Sequence, residues 1–256
     1  MKTHDTDSSR VSTVRTAFDI VDAIQELEGA SITELADHLE IAKSTVHRHV
    51  KTLEQELYVV ERNGVFDLGL QFLNHGIYAR DRQPFYQATR EKVEKIAAVT
   101  GELSTFIVRE RHLGFLLCRV KGHKAVETGD WIGKPVFLHA TAGGKCILAH
   151  SDESEVESVL EQIGLPRRTA KTITEAEALY EELAKVRENG YAINQEEHID
   201  GLNAVAVPIS GGNQRILGAL VVSGPTNRVN GTRLKHELPD LLLGASNELE
   251  LNLTYS

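Results

Sequence analysis

The sharpest periodicity in the chain is helical. From Val46 the apolar positions Val50, Leu53 and Leu57 fall at i+4, i+7 and i+11, the single stripe of an amphipathic helix. Its other face carries Lys43, Ser44, Thr45, His47, Arg48 and Lys51, short hydroxyl and long basic side chains that suit base edges and phosphates. Upstream, Val14, Ala17, Phe18, Val21, Ile24 and Leu27 predict a first helix ended by Gly29. Ser31-Ile32-Thr33-Glu34 is a capping box opening a short helix with Leu35, Ala36 and Leu39 on one face. Downstream, Tyr58 to Val60 and Val65 to Gly69 flank Asn63-Gly64, a dipeptide suited to the positive φ angles of a type I′ turn. Three helices followed without a gap by a hairpin predict a winged helix-turn-helix over residues 11–70, with Arg62 at the tip of the wing, placed to meet a phosphate.

Beyond the wing the periodicity changes. Residues 71–80 read as a further helix with Phe72, Leu73 and Ile77 apolar, and Asp81-Arg82-Gln83-Pro84 sets a domain boundary. Residues 85–99 are helical and stop at Gly101; residues 104–108 and 113–120 are buried-strand runs. A helix over 141–150 is entered through Ala142-Gly143-Gly144, and Ser151-Asp152-Glu153 opens the next. Thr174 to Glu177 reads as a second capping box, starting a helix that ends at Asn189-Gly190. Strands over 204–209 and 216–222 follow, with Pro208 indicating an edge or bulge, and a helix over 234–253 closes the chain. Strand pairs separated by helices predict an α/β second domain, with a largely antiparallel sheet, over 84–256. The polar residues 1–10 are expected to be disordered.

Charge sharpens the first half of this picture. The net charge is −9, and residues 1–68 hold seven Lys/Arg against thirteen Asp/Glu, yet Lys43 to Lys51 contains three cations and no acid. Contact with nucleic acid must therefore come from a local basic face, which argues against non-specific coating. No apolar run is long enough to span a bilayer, the N-terminus has no apolar leader, and Cys118 and Cys146 are the only cysteines; a reducing, cytoplasmic setting is expected.

The ordered motifs carry a resemblance. Ser12-x-x-Arg15, Leu35-Ala36, Lys43 to Arg48, Thr52-Leu53 and Leu68-Gly69 are followed by His139 to Lys145, Lys171 to Thr174 and Val186-Arg187-x-x-Gly190-Tyr191. Glu196-Glu197-His198-x-x-Gly201, Ala206 to Ile209 and Ser223-Gly224-Pro225-x-x-Arg228 complete the set. With this order and spacing the chain resembles the IclR-type (isocitrate lyase regulator) transcriptional regulators from about Ser12 to about Arg228. The resemblance implies an α+β protein: a winged helix-turn-helix, a linker helix over 71–83, and a GAF/PAS-like effector-binding and oligomerisation domain. It implies homodimers or homotetramers on a palindromic double-stranded operator and a small organic-acid or sugar-derived effector; from the residues themselves no cofactor, metal or membrane partner is expected.

Base reading is expected from Ser44, Thr45, His47 and Arg48, and phosphate contact from Lys43, Lys51 and Arg62. Carried over by position, the family's effector contacts fall on Ala142, Gly143, Asn194, Leu202, Ala204, Val221 and Ser223. Asn194 stands where well-studied members have an acid, Ala204 where they have a cysteine and Val221 where they have a serine, which implies a different metabolite. The expected function is a ligand-responsive regulator, a repressor rather than an activator, of carbon-source or sugar and organic-acid catabolism genes. Two alternatives stand beside it: an enzyme using Cys146 as nucleophile, for which no G-x-S-x-G, Walker or Rossmann pattern speaks, and a protein-interaction adaptor. His112, Cys118, His123 and His139 lack the paired spacing of a zinc site, and His198 reads as a loop-fixing residue.

Overall fold

The computed structural model describes residues 11–212 and 215–255; the tail expected to be disordered lies outside them. The chain divides between Asp81 and Arg82 into two compact units.

The first unit contains α1 (Ser12–Glu26), α2 (Ile32–Leu39), α3 (Lys43–Gln55), the hairpin β1 (Val59–Arg62) and β2 (Val65–Leu68), and α4 (Gln71–Asp81). Its core joins Ile20, Ile24, Leu35, Val46, Val50, Val59 and Phe66, so α3 is held by the buried half of its stripe while its basic half stays outside. The capping box forms: Ser31 Oγ accepts from the Glu34 amide and the Glu34 carboxylate accepts from the Ser31 amide. The wing turns through Asn63 (φ 54°) and Gly64 (φ 82°), and Arg62 pairs with Val65 at its tip.

Two expectations fail here. Leu57 lies beyond the end of α3 in a left-handed conformation and is exposed, because the chain must reverse there to enter β1. In α1 the buried positions are Ile20, Val21, Ala23 and Ile24, while Val14 and Phe18 face outward; the helix is apolar over a wider arc than its unit's core covers. Helix α4 buries none of its residues within the chain, leaving Leu73 and Ile77 exposed.

The second unit is built on one six-stranded antiparallel sheet of order β5-β4-β3-β8-β7-β6. Its elements are α5 (Tyr86–Thr100), β3 (Leu103–Glu110), β4 (Leu113–Lys121), β5 (Pro135–Val136), α6 (Ala142–Ala149), α7 (Glu153–Gln162), α8 (Ala176–Asn189), β6 (Ala192–Gln195), β7 (Leu202–Ser210), β8 (Ile216–Pro225) and α9 (Leu238–Tyr255). Helices α5 and α9 cover one face, against Phe106, Val205, Val207, Leu220 and Val222. Helices α6, α7 and α8 pack on the other, against Ile107, Ala206, Ala219 and Val221. Alternate residues of β7 and β8 thus feed opposite cores, as the pleat requires. Pro208 sits past the end of β6, where β7 has no outer partner, next to a bulge at Ile209–Ser210, so both parts of the expectation hold.

The second capping box does not form. Helix α8 begins at Ala176 with Glu175 at the cap, and the Thr174 hydroxyl instead accepts from Arg167; the box appears one helix earlier, between Asp152 and Glu155. The closing helix starts at Leu238, after a π-helical turn over Arg233–Glu237, four residues later than its periodicity suggested. The short strands β5 and β6 went unread because four residues or fewer carry no periodicity.

Candidate functional site

Two sites lie in separate units. In the first, α3 opens at Ala42 with no side-chain cap. Lys43, Ser44, His47 and Arg48 are exposed and Thr45 is half-buried, so the expected reading residues share one surface. Arg62 is exposed at the wing tip. Lys51 departs from its expected role: its ammonium donates to Glu54 at 2.8 Å and to Glu61 at 3.1 Å and lies over the Phe66 ring. Those acids raise its pKa and tie α3 to the wing strand, so a phosphate would have to displace both. His49, next to the reading face, donates from Nδ1 to Thr45 O and serves the helix.

In the second unit a pocket lies between the sheet and the start of α6. Strand register builds its floor. Asn194 pairs with Ala204, Ala204 with Ser223 and Ser223 with Leu103, giving one row across four strands; Val221 and Thr105 form the start of the next row. The roof is the first turn of α6, where Ala142 and Gly143 face the cavity. Thr141 caps the helix by accepting from the Gly144 amide at 3.0 Å. The amides of Ala142 and Gly143 have no acceptor within the helix, as in any first turn.

All seven residues assigned to effector contact line this one pocket, among them Leu202. Asn194 does less than assumed: its amide donates to Ala140 O at 2.7 Å and accepts from the Glu197 amide, so it braces the wall. The glycines divide their labour. A Cβ on Gly144 would lie 2.1 Å from the Leu138 carbonyl oxygen, so that glycine serves packing; one on Gly143 would meet only the side chains of Val221 and Ile107.

Sequence reasoning missed three further lining residues as pocket groups: Thr128, Asp130 and His198. Lys134 donates to Gly129 O and to Asp130, fixing the loop that carries the acid. Burial pushes the Asp130 carboxyl up, but the Lys134 and His198 partners outweigh it and hold the group down to about 2. His198, expected as a loop-fixing residue, lines the cavity and stands 3.7 Å from Asp130. Glu196 pairs with Lys171, and Thr169 and Thr172 donate to the Glu196 and Glu197 carbonyls. The Glu-Glu-His run was the available signal, but only the fold brings the 128–130 loop beside it.

Under the pocket, the fully buried Lys145 donates to Glu197, Glu182 and the Ile193 carbonyl at 2.7–2.9 Å, locking α6 to α8 and β6. Burial raises the Glu197 carboxyl against this pull. The enzyme alternative fails at Cys146. Burial lifts its thiol to about 12, the Sγ donates to Ala206 O, and it lies in the core, so no thiolate nucleophile is available. His139 bonds the Pro166 carbonyl, Cys118 belongs to the opposite core, and no metal-holding cluster occurs among the described residues.

The model for the bacterial transcriptional regulator IclR C-terminal domain matches residues 78–250, and that for the IclR helix-turn-helix domain matches residues 13–62. The chain belongs to the IclR family. Within that family it is 32% identical over 249 residues to a probable HTH-type transcriptional regulator, ArcR, of Halobacterium salinarum, covering 95% of this chain and 94% of that one. It is 26% identical to the HTH-type transcriptional repressor AllR of Escherichia coli K12, over 80% of this chain and 76% of the other. Among solved structures, the Thermotoga maritima IclR superposes with a TM-score of 0.77 at 26% identity, over 96% of this chain and all of that one. A double mutant of the PobR inducer-binding domain from Acinetobacter, in complex with 3-hydroxybenzoic acid, gives 0.59 at 28% identity, over 64% and 96%. The protein is accordingly a DNA-binding transcriptional regulator with a C-terminal effector-binding domain, not an enzyme. No described helix is long and apolar enough to cross a membrane.

Proposed function

We propose that this IclR-family member is a repressor of catabolic genes released by a small carboxylate. On this reading Ser44, Thr45, His47 and Arg48 read bases, Lys43 and Arg62 hold phosphates, and Lys51 steadies the wing. The effector lies on the floor row of Ala204 and Ser223, with its carboxylate at the Ala142 and Gly143 amides. One observation carries the proposal: seven positions scattered from 142 to 223 meet in a single, mostly apolar pocket whose roof is a helix N-terminus. The repressor assignment takes support from AllR, and the carboxylate from the PobR complex.

A homodimer, or a pair of dimers, on a palindromic operator fits the exposed apolar residues of α1 and α4, including Phe18, Leu73 and Ile77. Coupling requires the effector to favour one arrangement of the two α3 helices over another.

The test is a gel-shift titration of the full chain on fragments upstream of its own gene and its neighbours, at low ionic strength. A shifted fragment that a small carboxylate releases is the expected result. No shift of any fragment, with or without acids, overturns the reading.

A further inference from the structure

Helix α4 buries none of its residues, so packing within the chain does little to fix its direction. Phe72 and His75, three positions apart and so on one side of the helix, both grip Tyr58. The Tyr58 ring meets Phe72 edge-on, with centroids 4.9 Å apart, and lies nearly parallel to the His75 ring at 5.8 Å. Both are arrangements that aromatic rings favour. The Tyr58 hydroxyl donates to His75 Nε2 at 2.7 Å. The Gln71 amide nitrogen, which can only donate, stands 3.4 Å from the same atom, so Nε2 is the acceptor.

The backbone of Tyr58 is held by other elements. Its amide donates to Leu53 O, in α3, at 2.8 Å, and its carbonyl accepts from the Gly69 amide at 2.7 Å. A Cβ on Gly69 would lie 2.2 Å from Leu57 O, so the segment leading into α4 is pressed against the exit from α3. One residue is thus tied to the recognition helix by its backbone and to α4 by its side chain. Helix α4 ends at Asp81, where the chain passes into the second unit. A rotation imposed on α4 at that end must either break the Tyr58 contacts or carry α3 along. Resting on the effector-released repressor reading above, we propose that Tyr58 is the positioning residue that joins α4 to α3, so that an effector redirects the recognition helix as one body with α4.

The test is an anisotropy titration of the full chain on a fragment that it shifts, with and without benzoate, 3-hydroxybenzoate, butyrate or succinate. The ratio of the two affinities is the coupling factor, about 5–150 in typical allosteric proteins. His75→Ala, at an exposed position, and Tyr58→Phe, which keeps the ring and loses the hydroxyl, should each lower that factor about two- to tenfold, the worth of one hydrogen bond. Tyr58→Leu, which removes ring and hydroxyl, should bring it close to one. Operator affinity without acid, acid affinity by isothermal titration and the melting temperature should stay near those of the native chain, which a purely structural role for Tyr58 would not allow. His75→Ala serves if Tyr58→Leu does not fold. A coupling factor that survives the substitutions overturns the inference, as does a folded variant that loses operator affinity without acid; the repressor reading then still stands. If no acid releases the native chain, the repressor reading falls and this coupling falls with it.

Discussion

Lys145 shows how much one side chain can hold. Its ammonium is enclosed by two carboxylates and a carbonyl with almost no exposure, so replacing it leaves the buried Glu197 without its ammonium, with only the Gln195 amide to answer it. Lys145→Met should cost about 3–5 kcal/mol in urea unfolding, and a loss below 1 kcal/mol would show that the acids relax into solvent. Asp130 behaves differently because it is partly solvated. Its folded pKa of about 2 lies below the ordinary 3.8, so the unfolded chain binds the proton more readily. Its contribution to stability is therefore present above about pH 4 and lost as pH falls towards 2. Melting of the native chain and Asp130→Asn from pH 5 to pH 2.5 should show a gap that closes with acid; solvent screening keeps it on the order of 1 kcal/mol. A gap independent of pH would mean the ion pair does not form.

At the scale of elements, the approach of α6 to the turn at Leu138 is the tightest dependence. A methyl group on Gly144 would strike backbone atoms on a different element, which cannot rotate away as a side chain can. Gly144→Ala should destabilise the second unit by about 1–3 kcal/mol and weaken acid binding together with it, measured by urea melts and titration calorimetry. Normal stability would show that the helix can slide. This element also marks what could be read from sequence. The Ala142-Gly143-Gly144 entry, the Ser31 capping box and the Asn63-Gly64 turn each declare themselves within four residues, because local backbone chemistry dictates them. The Thr174 box looked equally plausible and lost to a competing hydrogen bond from Arg167, which no local rule contains. Residues 128–130 and 198 lie about seventy positions apart, and only the sheet order and the Lys134 anchor bring them to one wall.

At the scale of the whole molecule, a chain of net charge −9 must approach a polyanion through a face of a few cations. Binding should therefore be strongly salt-dependent yet weak on random DNA. Lys43→Ala or Arg62→Ala should lower the slope of log affinity against log salt by about one per half-site, evenly across sequences. Arg48→Ala should cost about 1–3 kcal/mol and blur the preference among operator variants. Anisotropy titrations at several salt concentrations separate the two behaviours, and an Arg48→Ala loss equal on all sequences would remove that residue from base reading.

The alternation along β7 and β8 has a consequence for how such a regulator changes over time. Ala204 and Ser223 meet the guest molecule, whereas Val205 and Val222, one step along, secure the opposite core. Because neighbours in the sequence answer to different demands, drift at the first pair can retune what the sensor tastes without loosening the scaffold.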